Sequence, residues 1–284
     1  MKKSSCYKKF VFLMIILTLT IGCGRIELFE SNQPTPPPAD PVEGWAVLAE
    51  KDDYDDPDMP DMLVDYIDII RMQQTLENSG WNPDHIHDVR EFNRKTFQAE
   101  LDWLEMNADK NDIVILYVSA HGNYLSDVMF WHSFFANEWA QILSQRRLLV
   151  IDVCKAASFT NVVVSDSSPH LTIAAVNENE LGWRGLEEEG LPIIGSVFTY
   201  YFTAALDDPA ADTNGDGRIS VQEAALMAEK KQRSYFHDVI FVVPEFLEMY
   251  HTLGVFPEND PTYPRMIMDD AIGRPLFLAL DAYP

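Results

Sequence analysis

The sequence is poor in cysteine, with three in 284 residues: Cys6, Cys23 and Cys154. The first two stand near the start, so most of the chain carries a lone thiol and no intrachain disulfide framework. Basic residues are scarce as well, 21 Lys and Arg against 45 Asp and Glu, for a formal net charge of −24. No basic stripe interrupts that balance, which argues against nucleic acid as a partner. The acidity itself reads as a solvated surface suited to calcium or salt and selects no substrate. A long apolar run is missing: the stretch from Phe10 to Ile21 is too short to span a bilayer comfortably. No Gly-x-Ser-x-Gly elbow occurs, which removes the serine hydrolase that Ser119, Ser158 and His170 would otherwise suggest. His85 and His87 supply two imidazoles on one strand with no third partner nearby, which sets zinc aside.

What is present begins at the N-terminus. Residues 1–22 open with Lys2, Lys3, Lys8 and Lys9, pass through the apolar stretch and close at Gly22, the layout of an export signal. A Cys directly after that small residue resembles the bacterial lipobox, although Thr20 departs from the Leu usual three places earlier. The resemblance implies lipidation at Cys23 and a membrane-anchored lipoprotein on the extracytoplasmic face of the cell envelope; plain secretion or an uncleaved anchor is the alternative. Loss of the signal removes four Lys and no acid, moving the charge from −24 to −28. Residues 23–44 include the run Gln33-Pro34-Thr35-Pro36-Pro37-Pro38 and read as a stiff, extended tether. Residues 45–284 suffice for one substantial core and are expected to form one domain.

Within that domain, residues 45–49 predict a strand. The spacing of Leu63, Tyr66, Ile67, Ile70 and Leu76 predicts a helix from residue 62 that stops at Gly80. A second strand is expected over 84–89, and Asn93 caps a helix carrying Phe97, Leu101 and Leu104 on one face. Residues 113–118 and 148–153 are apolar without alternation, the mark of parallel strands buried on both faces. A short helix over 135–144 separates them, a further strand follows over 170–176, and helices are expected over 196–206 and 221–234. Strands alternating with helices make an α/β fold: a mostly parallel sheet between two helical layers.

In such a sheet, polar groups gather beyond the carboxyl ends of the strands, and His121 and Cys154 both fall there. A thiolate is a nucleophile, a neighbouring imidazole takes its proton, and Gly122 has a backbone N–H free to face an oxyanion. A strand-end histidine and a buried, inert cysteine are the plainer alternatives for each residue taken singly.

The segment ending Ile113-Val-Ile-Leu-Tyr-Val-Ser-Ala-His-Gly122, followed by Leu148-Leu-Val-Ile-Asp-Val-Cys-Lys-Ala-Ala-Ser-Phe159, resembles the His-Gly and Cys blocks of caspase-like and legumain-like cysteine peptidases, the clan that includes clostripain. Residues 45–49 and Gly80-Trp-Asn-Pro83 resemble that family's first strand and its helix-to-strand turn. The resemblance implies a caspase-like three-layer sandwich, a His121 and Cys154 catalytic dyad that hydrolyses protein or peptide substrates, and a part for Gly122 in the oxyanion hole. Ala120 and Ala157 stand where glycines are frequent in the family, and the interval from His to Cys is short; an inactive, caspase-fold binding module is the rival reading. Asp152, two residues before Cys154, resembles the S1 acid of relatives that cut after Arg or Lys. A strand-end Asp that caps a loop accounts for it equally.

Residues 212–223 match a single EF-hand-like loop. Asp212, Asn214, Asp216 and Glu223 stand at positions 1, 3, 5 and 12, Gly217 at the sharp turn, with the Arg218 carbonyl and Ser220 as further oxygen donors. The pattern predicts a structural Ca²⁺; an Asp/Gly turn that merely caps the next helix is the alternative.

Overall fold

The computed structural model describes residues 40–283, apart from 63, 129–131 and 164–167. The export signal, Cys23, most of the tether and Leu63 therefore lie outside the described residues. Among the described residues no helix is long and apolar enough to cross a membrane.

Six strands form one sheet: β1 (Gly44–Glu50), β2 (Ile86–Arg90), β3 (Ile113–Ser119), β4 (Arg147–Asp152), β5 (His170–Ala174) and β8 (Ile267–Asp270), in the order β2-β1-β3-β4-β5-β8. The first five run parallel and β8 is antiparallel to β5. β6 (Arg184–Gly185) and β7 (Gly195–Ser196) make a separate short ladder.

The unbroken apolar runs follow from burial on both sides. In β3, Val114, Leu116 and Val118 face one core with β1 residues Val47 and Ala49. That core is covered by α2 (Arg94–Asn107) through Phe97, Leu101 and Leu104, by α4 (His132–Gln141) through Phe135 and Trp139, and by α5 (Ala157–Val163) through Phe159. Ile113, Ile115 and Tyr117 face the other core. There α1 (Ile67–Asn78), α6 (Val197–Leu206) and α7 (Val221–Tyr235) contribute Met72 and Leu76, Phe198 and Phe202, and Ala224, Ala225 and Ala228. Alternation along a strand sends successive side chains to opposite faces, so a polar residue within these runs would be buried on either side. The expected three-layer α/β sandwich is what forms.

Local signals set most element ends. Asn93 accepts from the N–H groups of Lys95 and Thr96 while Thr96 Oγ1 accepts from Asn93, a full capping box on α2. α1 begins at Ile67, five residues later than the periodicity predicts. Asp65 and Tyr66 are left-handed, at φ 54° and 56°, and Asp52 Oδ2 takes the N–H groups of Val64 and Tyr66 that a helix would have used. α4 ends at Gln141, and Ser144 leaves it to donate to the Asp112 carbonyl at 2.7 Å.

Three elements carry no strong pattern in the sequence: α3 (Gly122–Val128), α5, and α8 (Pro244–Thr252) with the π-helical turn Phe236–Ile240 before it. α8 and that π-helical turn belong to a third apolar cluster of Trp183, Ile193, Val197, Tyr235, Phe236, Ile240, Tyr250 and Tyr263.

Candidate active site

β3 and β4 are neighbours in register, with Ser119 opposite Asp152. His121 and Cys154 each stand two residues beyond that pair, past the carboxyl ends of adjacent strands that lie about 4.8 Å apart. Gly122 lies against the cysteine: a Cβ there would sit 2.4 Å from the Cys154 carbonyl oxygen and 3.6 Å from its Cβ. Packing alone therefore demands glycine at 122, and it closes the His121 turn onto the Cys154 turn. Lys155, next to the cysteine, is left-handed at φ 60°, a strained backbone anchored by its N–H to the Glu180 carbonyl at 2.8 Å.

His121 is gripped by the acidic loop after β1. Its backbone N–H donates to Tyr54 Oη at 2.8 Å, the two rings lie 4.8 Å apart, and Nε2 contacts the Pro60 carbonyl at 2.9 Å. A carbonyl only accepts, so Nε2 carries the proton and Nδ1 keeps its lone pair. The loop is held by Glu91, which accepts from the N–H groups of Asp52 and Asp53 and from Lys51 Nζ at 2.6 Å.

The Cys154 thiol is pushed up from its ordinary pKa by burial. The Gly182 N–H and Lys155 pull it back, and Asp152 adds to the rise. Asp152 is buried, with Oδ2 accepting from the Thr199 hydroxyl at 2.5 Å, and burial raises its carboxyl too. Beside it lies a charge cluster that sequence reasoning does not reach. The buried Arg184 guanidinium faces Glu50, Asp52 at 2.9 Å and Asp68 at 3.2 Å. Burial and the neighbouring Asp152 lift Asp68 to about 7, and burial lifts Asp52 to about 6. One cation thus serves several carboxyls, and proton uptake offsets the surplus. Glu50 ends β1 and Asp152 ends β4, so a strand-end acid is the only local signal of this cluster; Arg184 and Asp68 meet it through the tertiary fold.

Loop 212–223 turns its oxygens inward. Asp212 accepts from the N–H groups of Gly215, Asp216 and Gly217, Asn214 from Asp216, and Asp216 from Arg218. Glu223 accepts from Thr213, Asn214 and Ser220, and Ser220 caps α7. Among the described residues no three His, Cys, Asp or Glu side chains gather as a metal would need.

A family model described as Caspase domain matches residues 43–234, a span running from β1 almost to the end of α7. No curated protein sequence matches the chain. The matched span takes in both strand tips, His121, Gly122, Cys154 and the Asp152 cluster, and the parallel sheet between two helical layers is the architecture that the resemblance implied. The chain therefore belongs to the caspase-domain family, which is of cysteine-peptidase type.

Proposed function

We propose that this protein is an exported, lipid-anchored cysteine endopeptidase whose dyad is His121 and Cys154. The observation that carries the reading is the shared register of β3 and β4, with Gly122 seated on the Cys154 carbonyl. In the free protein the half-buried sulfur is biased toward the thiol form. When a peptide carbonyl arrives, His121 Nδ1 takes the Sγ proton and the sulfur bonds to the carbonyl carbon. The Gly122 N–H stabilises the oxyanion, and His121 returns the proton to the departing amine as the C–N bond breaks. Water then attacks the thioester, its proton passing through His121 back to sulfur. The Pro60 carbonyl supports this cycle, because it fixes the tautomer and grows in value as the ring becomes cationic.

Asp152, with Asp68 behind it, favours Arg or Lys at P1, since an arriving cation would take the place of the protons that the crowded carboxyls otherwise bind. We propose as well that loop 212–223 takes a structural Ca²⁺, on the strength of its twelve-position pattern and its seat at the start of α7. Asp212, Asn214, Asp216, the Arg218 carbonyl, Ser220 and Glu223 would hold the ion.

One experiment tests these readings: turnover of fluorogenic peptides with Arg, Lys, Asn or Asp at P1 by wild type and Cys154→Ala, each with and without Ca²⁺, alongside melting curves. Wild type should cleave after Arg and Lys, and Cys154→Ala should fall to background. Ca²⁺ at a hundredfold excess over its Kd should stabilise by about 2.7 kcal/mol, an effect that Asp212→Ala removes. Undiminished activity of Cys154→Ala, or none in wild type, ends the peptidase reading and leaves a caspase-fold binding module. Equal turnover of Asn or Asp ends the basic preference, and melting curves indifferent to Ca²⁺ end the metal site.

A further inference from the structure

The family match stops at residue 234, yet the chain beyond it reaches back to the nucleophile. Residues 180–184 run beside Cys154: the Glu180 carbonyl takes the Lys155 N–H at 2.8 Å, and the Gly182 N–H draws the pKa of the thiol down against the rise from burial. This short stretch includes Arg184 of the buried charge cluster at its far end. Its backbone at Leu181 and Gly182 and its side chain at Glu180 are fastened from the C-terminal part.

Tyr263 Oη bridges Leu181, accepting its N–H at 2.9 Å and donating to its carbonyl at 2.7 Å. Tyr250 Oη donates to the Gly182 carbonyl at 3.2 Å. Arg265 donates to the buried Glu180 carboxylate twice, from its backbone N–H and from Nε, each at 2.7 Å. The fasteners are themselves fixed. His237 Nε2 donates to the Tyr263 carbonyl at 2.9 Å, and the Tyr250 and Tyr263 rings pack edge to face 6.0 Å apart within the third apolar cluster. Hydrogen bonds made by buried hydroxyls to backbone that is not in a sheet constrain where that backbone can lie.

We propose that residues 236–265 are a clamp that positions the 180–184 segment against Cys154, with Tyr263, Tyr250 and Arg265 as positioning residues for the nucleophile. The inference rests on the reading of Cys154 as nucleophile and adds to it a task for the part of the chain outside the matched span. Neither tyrosine touches the reacting atoms in the scheme; each acts through Leu181 or Gly182. The clamp works by holding the Glu180 carbonyl on the Lys155 N–H, directly after Cys154, and by keeping the Gly182 N–H near enough to favour the thiolate. The other charged or titratable groups facing that sulfur are Asp152, Lys155 and the two tyrosines, and His121 lies on the adjoining turn.

The test is the pH dependence of iodoacetamide alkylation at Cys154, followed by peptide mass spectrometry, together with kcat and KM on the best peptide. Wild type, Tyr263→Phe, Arg265→Ala and Leu104→Ala are compared. Tyr263→Phe keeps the ring and deletes only the bridge to Leu181; Leu104 lies in the core on the other side of the sheet and serves as a control for lost stability. Tyr263→Phe is expected to move the alkylation midpoint upward by roughly half a unit or more, one unit being a tenfold change in the proton equilibrium. It should lower kcat about tenfold, the scale of one hydrogen bond, with KM little changed. Arg265→Ala should move both readouts the same way, and Leu104→Ala should lower the melting temperature and move neither. An unshifted midpoint in both Tyr263→Phe and Arg265→Ala overturns the clamp, whatever happens to their melting temperatures. If wild type cleaves no peptide, the nucleophile reading fails separately, and the alkylation midpoint alone decides whether the clamp orients the thiol.

Discussion

At residue 122 the choice of glycine has two sufficient causes. The proposed oxyanion role asks for a backbone free to turn its N–H toward the substrate, and the Cβ of any other residue would lie 2.4 Å from the Cys154 carbonyl oxygen. The two causes make one prediction. Gly122→Ala must push the His121 turn and the Cys154 turn apart, at the roughly 1–3 kcal/mol typical of overpacking. Activity should fall far more than folding, so a melting curve lowered by a few degrees beside a near-complete loss of kcat/KM is the expected pair of results; full activity would refute the close approach. Lys155 shows the same economy of space, since its left-handed backbone lets the chain turn away directly after Cys154.

Among the elements, α7 depends most visibly on its own first turn. Ser220 accepts the Glu223 N–H and Glu223 accepts from the Ser220 N–H, a capping box at the start of the helix. Ser220→Ala should cost about 1 kcal/mol, read as a fall of about 2–4 °C in melting temperature for a domain of this size. An unchanged melting temperature would mean that tertiary packing of Ala224, Ala225 and Ala228 holds the helix start without the cap. β4 belongs to the same scale. Its fully buried run ends in Asp152, so a strand covered on both faces delivers a carboxyl and then a thiol at its tip.

The molecule as a whole is governed by its negative charge, −24 in total and with a buried surplus of carboxyls beneath the strand ends. Asp68 and Asp52 are lifted to about 7 and about 6, above the value of 3.8 for an unfolded aspartate, so the folded state binds protons that the unfolded state releases. The stability this confers is complete below the unfolded value and is lost as pH rises through 6 to 7. Melting temperature should therefore decline between pH 5.5 and 8 at constant ionic strength, and Asp68→Asn should flatten that decline. Surface repulsion has the same sign but is already developed by pH 5.5, because exposed carboxylates are ionised there. Parallel curves for wild type and Asp68→Asn would show that the cluster plays no part.

The sequence by itself determined the sheet and the helices over it, because burial on both faces and helical spacing are written in the order of apolar residues: 113–118, 148–153, Phe97 with Leu101 and Leu104. It also determined that a histidine, a glycine and a cysteine stand at strand tips, since strand ends are local events. The start of α1 was beyond it, because Asp52, on a loop of its own, takes the N–H groups that would have begun the helix. The pairing of His121 with Pro60 and Tyr54, the meeting of Arg184 with three acids and the grip of Tyr263 on Leu181 were beyond it too. Each joins residues more than sixty apart, or a guanidinium to acids on separate elements. Nothing in local propensity specifies such contacts; they exist because only the closed fold brings those surfaces together and makes an unpaired polar group there costly.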